Sequence, residues 1–178
     1  KKNNYMNEKK PLDGIVWRKN LKNALDIINT SESFLFSGDI DPDSVGSMLS
    51  LSLYLQQLGK KVFLILPENL GENLDFFEKI IKYNSIKILR NKEQILAVKD
   101  EMETVIFCDT ANTKLVPHYS FLAENILSNK PKVIEIDHHF GADSEELTDY
   151  GVKLFREANA NTEIIGKILL TYHQKYHE

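Results

Sequence analysis

The chain has 178 residues, of which 42% are hydrophobic and 27% are charged, and its formal net charge is −4. These values indicate a soluble globular chain of about one domain and argue against a broadly basic nucleic-acid surface. The single cysteine, Cys108, cannot form an internal disulfide, which predicts a reducing, cytoplasmic location. No apolar run approaches the roughly 20 residues that span a bilayer, so we expect no membrane partner.

The amino-terminal half of the chain alternates between helical and extended patterns. Residues 1–14 are polar and are predicted to form a flexible tail that precedes a folded domain over residues 15–178. Helical spacing of apolar residues predicts helices, and short apolar runs bounded by Gly or Pro predict buried strands. In chain order these are a helix over 15–29, a strand over 34–37, a helix over 44–58, a strand over 61–67 and a helix over 74–83.

The same alternation continues to the carboxyl end. Strands are predicted over 85–89, 104–109, 132–137 and 151–155, and helices over 91–98, 119–127 and 161–176. Strands that alternate with helices predict an α/β fold with a doubly wound, mainly parallel β-sheet that is flanked by helices on both faces.

Three of the predicted strands are followed at once by acidic residues or histidines. These residues are Asp39, Asp41, Asp43, Asp109, Asp137, His138 and His139. Because parallel strands end at the same edge of a sheet, we expect these side chains to meet in one pocket. Two carboxylates about 4 Å apart repel by roughly 4 kcal/mol at an effective dielectric near 20, and a bound divalent cation removes that cost. The alternative is a solvated acidic turn in which Asp43 or Ser44 caps the next helix.

The mixture of ligand types predicts which metal binds. Carboxylates can bridge two metal ions, whereas imidazole favours transition metals, so the mixture favours Mn²⁺ over Ca²⁺. We expect two Mn²⁺ ions, with Mg²⁺ as the alternative. Sites of this kind activate a water molecule and cleave phosphate esters.

Four segments resemble a known family. Asp137-His138-His139 after a strand is the signature triplet of the DHH phosphoesterase superfamily, and residues 38–47 and 107–110 are similar to its first and second motifs. Residues 158–165 are similar to the segment that opens the helix after the triplet. The segments lie in family order, and the resemblance covers about residues 15–172.

The resemblance implies a set of metal ligands. Asp41 would bind one ion, Asp43 and His138 the other, and Asp109 would bridge the two. Asp39 would either bind metal or hold a water molecule beside it, because the acidic run resembles the arrangement in RecJ-type exonucleases.

The resemblance also implies how the site acts on its substrate. Asp109, His138 and His139 would be the catalytic residues, with His139 beside the substrate phosphate. Asp137 would support the histidines from behind, and Ser37 stands where many family members carry a further histidine.

The implied function is that of a phosphodiesterase that hydrolyses short oligonucleotides, or cyclic and linear dinucleotides, by a two-metal mechanism. A RecJ-like single-strand exonuclease is the first alternative, although tracking a long backbone requires a basic groove. An inorganic pyrophosphatase is less favoured because of Ser37. A non-catalytic module that binds or regulates is the alternative from another class, and a homodimer is a further expectation.

One departure concerns the carboxyl end. Family members usually carry another metal-binding aspartate and a substrate-binding domain beyond the helix at which this chain stops. We therefore expect a fragment that is a weak catalyst by itself.

Overall fold

The computed structural model describes residues 8–177. The strands are β1 (Ser33–Gly38), β2 (Lys61–Ile65), β3 (Lys87–Leu89), β4 (Thr104–Cys108), β5 (Lys132–Asp137) and β6 (Val152–Phe155). The helices are α1 (Gly14–Thr30), α2 (Pro42–Gln57), α3 (Asp75–Tyr83), α4 (Lys92–Ala97), α5 (Tyr119–Asn125) and α6 (Asn161–Tyr176). Short 3₁₀ helices cover Glu72–Leu74, Lys99–Glu101, Thr113–Leu115 and Leu127–Asn129. No helix within residues 8–177 is both long and apolar enough to cross a membrane.

The six strands found in residues 8–177 form one sheet in the order β3-β2-β1-β4-β5-β6, and every neighbouring pair is parallel. Alternate residues of β1 face opposite sides of this sheet. Phe34 and Phe36 join a core packed by α1, α2, α3 and α6, whereas Leu35 joins a second core on the side of α4 and α5. The predicted doubly wound α/β fold is confirmed, and the sheet is wholly parallel.

The order of the strands determines where a ligand can bind. The chain builds β1, β2 and β3 in one direction and then returns to place β4 on the other side of β1. In open α/β sheets, the crevice at such a reversal, outside the carboxyl ends of the strands, is the usual ligand site. The crevice between β1 and β4 is therefore where the acidic residues of β1, β4 and β5 would act.

The amino-terminal segment differs from the predicted tail. Residues 1–7 of that tail lie outside the described residues, but residues 8–13 pack against the domain. Glu8 pairs with Glu145, and the Leu12 N–H donates to the Phe155 carbonyl at 3.1 Å. Residues 8–13 therefore contact the domain that was predicted to begin at residue 15, because this segment pairs with residues far along the chain.

Candidate metal centre

Three neighbouring strands end level with one another at the crevice. Gly38 of β1 lies beside Cys108 of β4, and Cys108 lies beside Ile136 of β5. The Asp109 N–H donates to the Ile136 carbonyl at 2.9 Å, which holds the residue after β4 against β5. The acidic residues that follow these strands therefore start from adjacent positions.

Gly38 allows β1 and β4 to approach closely at this edge. A Cβ atom at Gly38 would lie 2.1 Å from the Cys108 carbonyl oxygen and 2.6 Å from the Ser44 Oγ. The same Ser44 hydroxyl donates to the Cys108 carbonyl at 3.1 Å, so the first turn of α2 rests on the end of β4. Any side chain at Gly38 would separate these elements.

Asp109 lies at the centre of the candidate site. Its side chain is 1% exposed, and its Oδ1 atom has no hydrogen-bond partner among the described residues. Its φ of 52° is in the left-handed region, where aspartate is tolerated better than most residues. Backbone strain and an unpaired buried oxygen both cost stability, and both are typical of functional sites.

Two histidine rings lie against that oxygen. The His138 Nε2 atom is 3.1 Å from Asp109 Oδ1, and the His139 Nδ1 atom is 3.5 Å from it. The His138 Nδ1 atom donates to the Ala158 carbonyl at 2.9 Å, so in the neutral ring Nε2 carries the lone pair. Metal-binding histidines are typically oriented by such a carbonyl, which leaves the other nitrogen as the ligand.

Asp43 joins this group while it also caps a distant helix. Its Oδ2 atom is 3.5 Å from His138 Nε2. The backbone N–H groups of Asn161 and Thr162 donate to its two oxygens at 2.6 and 3.1 Å, so Asp43 closes the amino end of α6. Asp43 therefore connects the first motif, the triplet and α6.

The other two predicted aspartates lie further out. Asp41 Oδ1 accepts the Ser44 N–H at 2.9 Å and caps α2, and Asp39 Oδ1 accepts its neighbour's N–H at 2.6 Å. Within residues 8–177, one group of three potential ligand atoms lies within 4.8 Å of one another, and it comes from Asp109, His138 and His139. Roles of Asp39 and Asp41 as metal ligands stay predictions.

Both carboxylate oxygens of Asp137 accept hydrogen bonds. Its Oδ1 accepts from His139 Nδ1 at 2.8 Å, and its Oδ2 accepts from the ammonium group of Lys9 at 2.6 Å. Burial raises the pKa of Asp137, but the His139 hydrogen bond and the Lys9 charge outweigh burial and lower that pKa overall. In turn, the hydrogen bond to Asp137 is the main cause that raises the pKa of His139. Asp137 thus contacts one of the two histidines, His139.

Ser37 is buried beneath this pocket at the end of β1. Its Oγ atom has no hydrogen-bond partner among the described residues. A role for Ser37 in support of the site stays a prediction.

The electrostatics of the pocket favour a bound cation. Burial, followed by the charges of Asp43 and Asp41, raises the pKa of Asp109 to about 7. These are the conditions in which a carboxylate gains most from a positive partner, because its charged form is otherwise penalised.

The residues present fit a divalent metal ion. A buried carboxylate oxygen without a partner and an imidazole nitrogen with a fixed lone pair lie 3.1 Å apart. Two ligands on adjacent octahedral positions at about 2.1 Å from a metal are about 3.0 Å apart, which agrees with this separation. Asp109, His138 and Asp43 would hold this ion.

Two buried charged residues near the site were not expected from the sequence. Lys9 lay in the predicted tail, and no local pattern distinguishes it from the lysines around it. Glu135 is 1% exposed in β5, where it accepts hydrogen bonds from Thr148 and forms an ion pair with Lys153. A charge inside an otherwise apolar strand was the signal for Glu135, because such a group is rarely buried unless it is paired.

The family model described as "DHH family, N-terminal domain" matches residues 33–178. No protein of curated function matches the sequence.

A solved structure shares the fold. It is an exopolyphosphatase-related protein from Bacteroides fragilis, with a TM-score of 0.67 and 17% sequence identity. The match covers 87% of this chain and 44% of the other, so the chain spans less than half the length of that neighbour. At this identity the likeness concerns the fold alone. The family match includes all three strand ends that form the pocket, and the chain belongs to the DHH family.

Proposed function

We propose that the chain is the catalytic part of a metal-dependent phosphodiesterase that hydrolyses short oligonucleotides, or cyclic and linear dinucleotides. One observation carries the proposal. The Oδ1 atom of Asp109 is buried and unpaired, and the imidazoles of both histidines of the triplet lie within 3.5 Å of it. A mixed carboxylate and imidazole site of this kind suits Mn²⁺ and also accepts Mg²⁺.

Each residue of the pocket has a part in this proposal. Asp109, His138 and Asp43 would hold one ion, and Asp109 would share a second ion with Asp41, supported by Asp39. Two bound ions would polarise the phosphate and make a water molecule a strong nucleophile at neutral pH. The Ala158 carbonyl keeps the His138 ring oriented with Nε2 toward the other ligands.

His139 would bind the substrate phosphate. Its ring is the more exposed of the two, with 41% of the side chain accessible against 16% for His138. Asp137 raises the pKa of His139, which favours the imidazolium form that attracts an anion. With Nδ1 committed to Asp137, the Nε2–H group would donate to a phosphate oxygen.

The net charge of the chain bears on the size of the substrate. The net charge of −4 disfavours a long anionic backbone, whereas two cations and His139 can neutralise one or two phosphates. Short nucleotides are therefore preferred over long single strands. The cytoplasmic location that the single cysteine predicts is compatible with such substrates and stays a prediction.

A substrate panel tests the proposal. A linear dinucleotide, a cyclic dinucleotide, a five-nucleotide RNA, a 20-nucleotide DNA strand and pyrophosphate are incubated with Mn²⁺, and products are separated by chromatography. The protein is assayed both as this chain and in the longest form that its gene encodes, beside the matched variant Asp109→Asn. We expect turnover of the short nucleotides by wild type and its loss in the variant. Preferred cleavage of the 20-nucleotide strand would instead favour the exonuclease alternative.

One observation favours a second candidate, a module that binds a ligand without turnover. Asp41 and Asp43 both act as helix caps, so part of their hydrogen-bonding capacity is committed to the backbone. Binding of Mn²⁺ and of a dinucleotide without turnover in any form of the protein would select this candidate.

A further inference from the structure

We propose that Lys9 is a positioning residue of the candidate site, which holds Asp137 and, through Asp137, fixes the imidazole of His139. The inference rests on the proposed function, because it assigns a role within that same site. It concerns a residue that precedes the region of the family match, which begins at residue 33.

The ammonium group of Lys9 is buried and hydrogen-bonded beside the candidate site. Lys9 is 2% exposed, and its Nζ atom donates to Asp137 Oδ2 at 2.6 Å and to the Thr110 carbonyl. The group also lies 5.4 Å from the centre of the Phe155 ring. A buried ammonium is tolerated only when it is paired and hydrogen-bonded, and this one is. Its neighbours Glu8 and Lys10 are both exposed, whereas Lys9 is buried.

The two acceptors of this ammonium group lie at the ends of neighbouring strands. Thr110 directly follows Asp109 at the end of β4, and Asp137 directly precedes His138 at the end of β5. One ammonium group therefore connects the ends of the two strands that carry the candidate ligands. Loss of its charge would release both ends at once.

Lys9 also determines which oxygen of Asp137 faces His139. Lys9 occupies Oδ2, so Oδ1 is the oxygen that accepts from His139 Nδ1 at 2.8 Å. A carboxylate held at both oxygens cannot rotate, and the imidazole that it orients keeps the proton on Nδ1 and leaves Nε2 for the substrate. Without the Lys9 ammonium, Oδ2 would lose the donor that holds it, and the orientation of the carboxylate would no longer be fixed at both oxygens.

Ser144 provides a second connection between the same residues. The Lys9 N–H donates to the Ser144 carbonyl at 3.1 Å, and the Ser144 hydroxyl donates to the His139 carbonyl at 2.7 Å. The backbone of His139 and its ring are thus both tied to Lys9, one through Ser144 and the other through Asp137.

The test compares Lys9→Met, which keeps the length of the side chain and removes the charge, with Lys10→Met at the exposed neighbouring lysine. Long-range ¹H–¹⁵N NMR of the metal-free protein reports which nitrogen of each imidazole carries the proton. At a pH where His139 is neutral, we expect a single Nδ1–H form in wild type and Lys10→Met and a mixture in Lys9→Met. His138, which donates to Ala158 instead, should be unchanged in all three and serves as the internal reference.

A second readout concerns ligand affinity in the Mn²⁺-loaded protein, measured by calorimetry. Loss of an outer partner of a metal site typically costs about 10–100-fold in metal affinity or activity, and we expect a loss of the same order here, with inorganic phosphate bound by Lys9→Met at least tenfold more weakly than by wild type. Should Lys9→Met fail to fold, Lys9→Gln supplies an uncharged donor for the same comparison. A variant that keeps the single His139 form and the phosphate affinity, and only melts earlier, would overturn the proposal. The NMR result requires neither metal nor turnover, so failure of the proposed phosphodiesterase activity would be seen separately.

Discussion

The carboxylate of Asp43 accepts the backbone N–H of Asn161 at 2.6 Å, although 118 residues separate the two in the chain. Asp43 belongs to the first motif and thereby caps the amino end of α6, the last helix of the described chain. The same carboxylate lies 3.5 Å from His138 Nε2. Any metal ion bound by Asp43 would consequently be coupled to the anchoring of α6 through this one side chain.

The first prediction follows from that double contact. Asp43→Ala should lower the free energy of unfolding of the metal-free protein by about 0.5–2 kcal/mol, since loss of a helix cap costs that amount. Denaturant titration followed by circular dichroism measures it. Asp143→Ala is the matched control, because Asp143 is exposed and only its backbone carbonyl accepts a hydrogen bond. Equal stability of the two variants would show that the cap contributes nothing.

The second prediction is that Mn²⁺ stabilises the fold. At a hundred times its dissociation constant, a ligand of the native state adds about 2.7 kcal/mol, which is roughly 5–10 °C in Tm for a chain of this size. A thermal scan with millimolar Mn²⁺ measures the shift in Tm. We expect His138→Gln to abolish most of that shift. An unchanged Tm in wild type would argue against an intact metal site.

The third prediction concerns pH and Asp109. Its pKa is about 7 in the folded protein against a reference of 3.8, so the folded state binds this proton more tightly than the unfolded chain. The resulting stabilisation is complete below pH 3.8 and is lost as the pH rises through 7. Asparagine does not ionise and tolerates the left-handed backbone of this position.

Metal-free Asp109→Asn should therefore gain stability relative to wild type as the pH rises from 4 to 8. We expect a change on the order of 1–3 kcal/mol. Denaturant midpoints measured across this range with a chelator present provide the comparison. A difference that stays constant with pH would mean that Asp109 titrates normally.

The fourth prediction concerns Gly38. Gly38→Ala places a methyl group 2.1 Å from the Cys108 carbonyl oxygen, and such overpacking costs about 1–3 kcal/mol or more. Gly166→Ala is the control, because nothing lies within 4 Å of its Cβ position inside α6. That substitution should instead stabilise the protein by about 0.5–1 kcal/mol. Thermal melts of both variants give opposite shifts if the close approach of β1 and β4 is real.

Local sequence patterns were sufficient for the order of the elements and for the edge at which the site lies. Apolar runs and helical spacing depend on neighbouring residues, so the alternation that predicts a parallel sheet can be read directly from the chain. Local patterns did not locate the ends of a strand where pairing with a neighbouring strand decides them. The strand predicted over 85–89 begins only at Lys87, because its hydrogen bonds require the edge of β2.

The arrangement inside the site depended on contacts between distant residues. Capping was foreseen for the acidic run, but Asp41 caps α2 while Asp43 caps α6, which only the packing of α6 could decide. The ring of His138 is oriented by the Ala158 carbonyl, and Asp137 is held by Lys9 from a segment that resembles a solvated tail.

Sequence alone therefore determined which side chains stand at the ends of the strands, because strand ends are marked locally by the change from apolar to acidic residues. Tertiary structure decided which atoms of those side chains face one another. The orientation of an imidazole or a carboxylate is set by its hydrogen-bond partners, and those that orient His138 and Asp137 include Ala158 and Lys9, which lie 20 and 128 residues away in the chain.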